Sequence, residues 1–349
     1  MTAAHPTSTV EPGLERWGWS PFFAGQVGAD DRVARVLAEH RGYYDLVTEA
    51  GPAAAVRVAA GLRQAVSEPS EFPAVGDWVV LDDDGGGEPL IGERLRRRTA
   101  LVRRAAGMVP EAQVLAVNVD TAFVMTSLQD DLNVRRLERQ LALVLADDIV
   151  AVVVVAKVDL VPDRGALVAQ VAPALGGTIP VVTISNLTGE GIDQLERWLR
   201  PATTVALVGS SGVGKSSLVN QLVGDERQDV GDLRGDGRGR HTTVRRELVP
   251  LPGGALLIDT PGLREVQLWR PEGLDAAFPE VVALVPHCRF ADCRHSGEPG
   301  CAVELAVADG RVAADRLEAY RQLRSELAAT ADAVAERRRT LERRINRRR

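Results

Sequence analysis

Residues 209–217 read "GSSGVGKSS", and they stand between a β-like apolar run, "TTVALVG", and a helical segment, "KSSLVNQLVG". Few local patterns constrain a fold as strongly, because Gly209-x-x-x-x-Gly214-Lys215-Ser216 works only when a buried strand delivers it and a helix N-terminus receives it. The loop of Gly209, Ser210, Ser211, Gly212, Val213, Gly214, Lys215, Ser216 and Ser217 can turn its backbone N–H groups toward phosphates. Lys215 would reach the β and γ oxygens, and the Ser216 hydroxyl would take Mg²⁺. A glycine-rich turn with an incidental Lys-Ser would require neither the strand before it nor the helix after it.

The neighbouring sequence supplies the sheet that such a loop demands. From 113 to 270 buried-strand and helical patterns alternate: "VLAVNVDTAFVMTSL" reads as a strand, "NVRRLERQLALVLADD" as a helix and "IVAVVVVAKVDL" as a strand. A helix near 163–175, a strand "TIPVVTIS" and a helix "IDQLERWLR" follow, so 113–270 is expected to be one doubly wound α/β domain. The strand "ALLIDTPGL" ends in Asp259-Thr260-Pro261-Gly262, where Asp259 can hold Mg²⁺ through water and the Gly262 amide can sense a γ-phosphate.

Base recognition falls to Lys157-x-Asp159 at the end of "AVVVVAKVDL". A carboxylate accepts from guanine N1–H and N2–H₂, which adenine does not offer, so Asp159 would discriminate while Lys157 lays its stem along the base. "SNLTGEG" at 185–191 fits the accompanying loop, with Ser185 and the Asn186 backbone near the guanine O6. These elements normally follow the phosphate loop, whereas here they precede it, as in a circularly permuted chain whose site is intact. Ala156 stands where Asn is usual, a loss of about 1–2 kcal/mol of hydrogen bonding that should weaken affinity more than guanine choice. Of 42 basic residues only Lys157 and Lys215 are lysines, the two positions where a slim ammonium differs from a guanidinium.

Between the phosphate loop and D-T-P-G runs "DLRGDGRGRHTTVRREL", whose glycines and charges suit a segment ordered by the γ-phosphate and Mg²⁺. Thr242 or Thr243 could supply the Mg²⁺ hydroxyl, with Thr243 preferred.

Outside this core, residues 1–30 read as an N-terminal arm carrying "LERWGWSPFF". Short β-like runs over 31–104, broken by Gly, Pro and Asp, read as a small OB-like barrel. Residues 271–349 read as a helical domain with a basic tail, and they contain Cys288-x4-Cys293-x-His295-x5-Cys301. All three cysteines of the chain fall there, with donors for one closed, structural Zn²⁺ site; His287 is a competing ligand. The net charge of −6 argues against a generic nucleic-acid binder, but arginines concentrate in 93–104 and 336–349, so local basic surfaces are expected. No apolar run approaches the ~20 residues of a membrane span, and a cytoplasmic protein is expected.

Together these motifs resemble the ribosome small-subunit-dependent GTPase A family (RsgA, also called YjeQ), with "LERWGW", "VGDWV", "GRHTT", "DTPG" and the Cys/His spacing carrying the likeness across the chain. The resemblance implies a GTP hydrolase using GTP/GDP with Mg²⁺ and one structural Zn²⁺. It further implies binding to the small ribosomal subunit and its rRNA late in maturation, with hydrolysis stimulated by the subunit. A monomer is expected. Leu263 stands where Ras-like enzymes place a water-orienting Gln, and His241 of the G-x-H-T-T stretch is the candidate replacement; Lys215 and Gly262, acting on the phosphates, complete the expected catalytic set. The competing readings are a P-loop ATPase and an rRNA-binding scaffold that does not turn over.

Overall fold

The computed structural model describes residues 13–83, 85–105, 107, 110–128, 132–161, 164–224, 246–260, 262 and 266–346. Valine-rich runs make the centre of the molecule. β8 (Thr121–Ser127), β9 (Val150–Ala156) and β11 (Thr204–Gly209) are buried along nearly their whole length, as strands covered on both faces must be. With β10 (Val181–Thr183), β13 (Leu256–Asp259) and β12 (Glu247–Pro250) they run in the order β10-β9-β8-β11-β13-β12, parallel except for β12. The chain visits β8, β9 and β10 before β11, so the rotated motif order is a rotated strand order around one sheet.

Helix α3 (Val134–Val144) starts where Asn133 accepts a hydrogen bond from the Arg136 amide at 3.0 Å, an N-cap. Leu137, Leu141 and Val144 bury its apolar face. Helix α4 (Arg164–Ala174) follows β9, and α5 (Lys215–Val223) follows β11. The expected helix at "IDQLERWLR" is a 3-10 segment, Asp193–Trp198, instead.

The second unit is a closed five-stranded barrel. β1 (Arg32–Glu39) pairs with β2 (Tyr44–Thr48) and β4 (Trp78–Asp83); β3 (Gly51–Val58) bridges β2 and β5 (Pro89–Arg94), and β5 returns to β4. This 1-2-3-5-4-1 closure is that of an OB-like barrel, filled by Ala34, Val36, Leu46, Val56, Val79 and Ile91. Two short helices lie at its edges, α1 (Pro21–Ala24) in the arm and α2 (Ala60–Ala65) after β3. The expected barrel limit of 104 moves back to Arg94, because β6 (Ala100–Arg104) leaves the barrel and pairs with β7 (Ala112–Val117). The single strand expected over 114–128 is likewise two, β7 and β8, broken at Asn118, which takes a left-handed conformation (φ 53°).

Barrel and α/β sheet are joined edge to edge. β1 pairs with β12 at Ala38 and Glu247, which makes one eleven-stranded sheet among the described residues. Arg35, almost fully buried, donates to the carbonyls of Trp17 and Gly76 and at 2.8 Å to Thr204 Oγ1. One side chain thereby ties arm, barrel and β11, and burial brings its guanidinium down to about 10. The arm is docked: Leu14, Trp17, Trp19 and Phe23 are buried in the main core, with Trp19 edge-on to Trp78.

The C-terminal region is helical as expected: α6 (Glu272–Ala277), α7 (Pro279–Val282), α8 (Ala302–Ala308) and the long α9 (Ala314–Asn346). α6 lies so close to α3 that a Cβ on Gly273 would sit 1.7 Å from the Ala142 carbonyl oxygen. Arg316 of α9 closes this junction, bonding Glu138 of α3 at 3.0 Å, Glu280 of α7 at 2.7 Å and the Ala277 carbonyl, and stacking over Phe278.

Candidate active site and metal centre

The C-terminal ends of β8, β9, β11 and β13 lie along one edge of the parallel sheet, where ligands of doubly wound folds bind. β11 ends at Gly209, and residues 210–214 turn into α5 with Gly212 at φ 81° and Gly214 at φ 110°. These left-handed positions suit glycine, and they let the loop's backbone face inward. Ser211, Ser216 and Ser217 are exposed while Val213 is buried beneath them. Lys215 is nearly buried; its ammonium donates to the Gly209 and Ser210 carbonyls at 2.8 and 2.7 Å, which holds it across the mouth of the loop.

Asp259 ends β13 in register with Leu207 of β11, which brings it beside the phosphate loop. Burial pushes its carboxyl up from the ordinary aspartate value, and Lys215 opposes the shift. Its Oδ1 is buried with no hydrogen-bond partner among the described residues, a vacant acceptor that fits the water shell of Mg²⁺. Thr260 is buried and donates to the Leu207 carbonyl, so the strand end is fixed on both sides. Gly262 lies against the phosphate loop: a Cβ there would approach the Ser211 amide nitrogen and Cα to 2.8 Å.

Lys157 follows β9 in a left-handed conformation (φ 59°) and opens the short turn Val158–Leu160. The turn leaves Lys157 and Asp159 half-exposed while Val158 is buried. Ser185 is fully buried and its Oγ accepts from the Thr188 amide, closing the base loop. Asn186 Nδ2 donates to the Gly214 carbonyl at 3.0 Å, so base loop and phosphate loop touch. The structure brings together Lys157, Asp159, Ser185, Asn186, the phosphate loop, Asp259 and Gly262. His241 and Thr243, with Thr242, lie outside the described residues, as does Leu263.

One contributor escaped the sequence reading. Arg136, in the first turn of α3, donates to Ser210 Oγ at 3.1 Å, and its neighbours Arg135 and Arg139 reach Asp315 and Glu326 of α9. The run "NVRRLERQ" held the signal: a capping Asn followed by arginines at helical spacing, two of them one turn apart.

The Arg-rich stretch 93–104, expected as a basic surface, is largely engaged inside the molecule. Arg97 binds Asp77 at 2.7 Å and two backbone carbonyls, Arg98 binds Asp120, and Arg94 donates to the Glu71 and Leu95 carbonyls. Those guanidinium groups are bound to the fold itself, while Arg96 and Arg98 remain exposed, Arg96 lying over the Phe22 ring.

The metal knot assembles as the spacing predicts. Cys288, Cys293, His295 and Cys301 place one donor atom each within 4.8 Å of all the others. His295 Nδ1 lies 3.6 Å from Cys288 Sγ and 3.4 Å from Cys301 Sγ, and the two sulfurs are 4.0 Å apart. A tetrahedron with Zn–S near 2.3 Å and Zn–N near 2.05 Å has edges of about 3.6–3.8 Å, so the separations among Cys288, His295 and Cys301 lie close to those of a zinc site. His287 is not among them. His295 sits at φ 61°, and Glu298 accepts the Arg294 and Ser296 amides around it, which pulls its own carboxyl down to about 2. Cys301 also caps α8, and Arg324 of α9 donates to the Cys293 carbonyl.

Comparison with known proteins follows the same architecture. The RsgA GTPase family model matches residues 94–269. The small ribosomal subunit biogenesis GTPase RsgA of Opitutus terrae is 46% identical over 337 residues, covering 92% of this chain and 91% of that protein. The chain belongs to the RsgA GTPase family. It is therefore a GTP hydrolase, and the family's chemistry calls for a guanine nucleotide with Mg²⁺. The RsgA protein of Methanosarcina acetivorans is 44% identical over 84% of the chain and 79% of its own length. Among solved structures, YjeQ from Thermotoga maritima is 27% identical with a TM-score of 0.63, over 85% of this chain and 99% of that one. YloQ, described as a circularly permuted GTPase, shares the fold at a TM-score of 0.58 and 24% identity, over 86% of this chain and 96% of its own. No helix among the described residues is long and apolar enough to cross a membrane.

Proposed function

We propose that this chain binds the small ribosomal subunit late in its maturation, hydrolyses GTP faster when bound, and leaves after hydrolysis. The observation that carries this reading is the order of the chain after Asp259: the strand that ends beside the phosphate loop is followed in sequence by α6 and then by the Cys₃His knot. A change at the γ-phosphate is thus in line with the C-terminal domain. Its relatives' names give small ribosomal subunit biogenesis as their role.

In this reading Asp159 accepts from the guanine N1–H and N2–H₂ while Lys157 flanks the base. Ser185 and the Asn186 backbone lie toward O6. The phosphate-loop amides and Lys215 hold the β and γ phosphates, and the Gly262 amide follows the γ-phosphate. Ser216 and Thr243 would hold Mg²⁺, with Asp259 acting through water; when bound, the ion neutralises charge on the phosphate oxygens. His241 orients the attacking water, because Leu263 cannot. One zinc, held by Cys288, Cys293, His295 and Cys301, cross-links the C-terminal domain. Contacts to rRNA are phosphate contacts, for which the exposed Arg339 and Arg343 of α9 are placed. The protein works as a monomer in the cytoplasm.

GTP hydrolysis measured with and without purified small subunits tests the proposal. Turnover should be slow alone and rise at least tenfold or so with subunits. Turnover unchanged by subunits would overturn the subunit-stimulated reading, and preference for ATP would overturn the guanine reading.

A further inference from the structure

Position 156, where a base-reading strand end of this kind ordinarily carries Asn, is a fully buried Ala. Positions 156, 186 and 214 meet at one point: a Cβ placed on Gly214 would lie 3.9 Å from Ala156 Cβ and 3.0 Å from Asn186 Nδ2. Asn186 Nδ2 donates to the Gly214 carbonyl at 3.0 Å across 28 positions of sequence. We propose that the Asn186 side chain supplies from the base loop the clamp on the phosphate loop that Ala156 cannot, and that this chain's nucleotide affinity depends on it.

The physical consequence runs through one peptide plane. The Gly214 carbonyl and the Lys215 amide belong to the same rigid unit, and Gly214 holds φ 110° just before α5 begins. The same oxygen accepts the Leu218 amide at 2.9 Å as the first bond of α5, so Asn186 adds a second grip, from outside the helix, on the plane that carries the Lys215 N–H, one of the donors a β-phosphate would meet. The side chain's other end points the same way: Asn186 Oδ1 is buried with no hydrogen-bond partner among the described residues. A residue kept for stability alone would do better without an unpaired buried acceptor, so the amide is retained for the bond its Nδ2 makes. Asn186 is thus a positioning residue, acting on phosphates through Gly214 and Lys215.

Because Ala156 and Asn186 converge on Gly214, an Asn at either position should make the other redundant. The experiment is a double-mutant cycle on the full-length protein, reading Kd for fluorescent GDP and a non-hydrolysable GTP analogue. Asn186→Ala should weaken both nucleotides up to about tenfold, the upper end of what one neutral hydrogen bond supplies, with the GDP-to-GTP ratio and guanine preference kept. Ala156→Asn should give no gain in the native background, where the space is taken, and recover most of the loss in the Asn186→Ala background. Asn186→Asp, the same shape with an acceptor facing the carbonyl, should lose as much as Asn186→Ala, which keeps the test usable if the alanine variant folds poorly. Unchanged affinity in Asn186→Ala, or an equal gain from Ala156→Asn in both backgrounds, overturns the clamp. The proposal rests on Lys157 and Asp159 flanking the base, and that premise fails separately: it falls if Asp159→Asn leaves GTP preferred over XTP, whatever Asn186 does.

Discussion

Asp159→Asn should move nucleotide preference from GTP toward XTP by about two orders of magnitude or more, since a site built to bond a substrate N–H rejects the partner that mismatches it. Competition binding of GTP, XTP and ATP reads this directly. Gly262→Ala should abolish hydrolysis with the fold intact, because its Cβ would press into the Ser211 backbone at 2.8 Å; single-turnover hydrolysis beside a thermal melt separates the two effects. Lys157, Asp159, Asp259 and the phosphate loop could be singled out in the sequence because the chemistry expected of them depends on residue type and a short, fixed spacing. The Asn186 side chain was not, since its partner is the carbonyl of a residue in another loop, and a carbonyl has no residue type. Arg136 was missed for a similar reason: the hydroxyl it meets belongs to a loop already fully explained by phosphate binding.

Among the elements, the joint between α3 and the C-terminal helices rests on buried charge. Glu138 is almost fully buried, and burial pushes its carboxyl above the ordinary glutamate value while Arg316 and Arg135 pull it back. Arg316→Met should cost about 3–5 kcal/mol, the usual result of stranding a buried partner, read as a lower midpoint in urea. The cost should depend on pH. Without Arg316 the Glu138 carboxyl rises further, so the folded variant holds its proton where the unfolded chain has released it, and stability falls as pH climbs above the ordinary glutamate value. The gap between native and variant should therefore be wider at pH 8 than at pH 5. At the knot, Cys301→Ser should lower bound zinc from about one per chain toward none and loosen α8, whose amide at Glu304 the sulfur also accepts. Helix positions were readable from apolar spacing, except at Asp193–Trp198, where the segment is 3-10. The fate of the Arg-rich stretch was not, because a guanidinium bonded to Asp77 and one open to solvent look alike in a string of letters.

For the whole molecule, Arg35 is the side chain on which the relation of its parts depends. Arg35→Leu should remove three hydrogen bonds to one charged group, about 3 kcal/mol or more in total, and split a single thermal transition into separate barrel and α/β transitions by calorimetry. Domain order and barrel type were legible from the rhythm of short strands followed by βα alternation. The fusion of the two sheets was not, since it turns on the single β1–β12 register at Ala38 and Glu247. The rotated strand order bears on biosynthesis. β8, β9 and β10 leave the ribosome first, yet β8 must pair along its other side with β11, which begins only at Thr204. Until then a strand that the finished fold buries along its whole length keeps an open edge, of the kind that invites mispairing. A nascent chain of this design is obliged to wait, shielded by helix α3 or by a chaperone, for the phosphate-binding half that completes it.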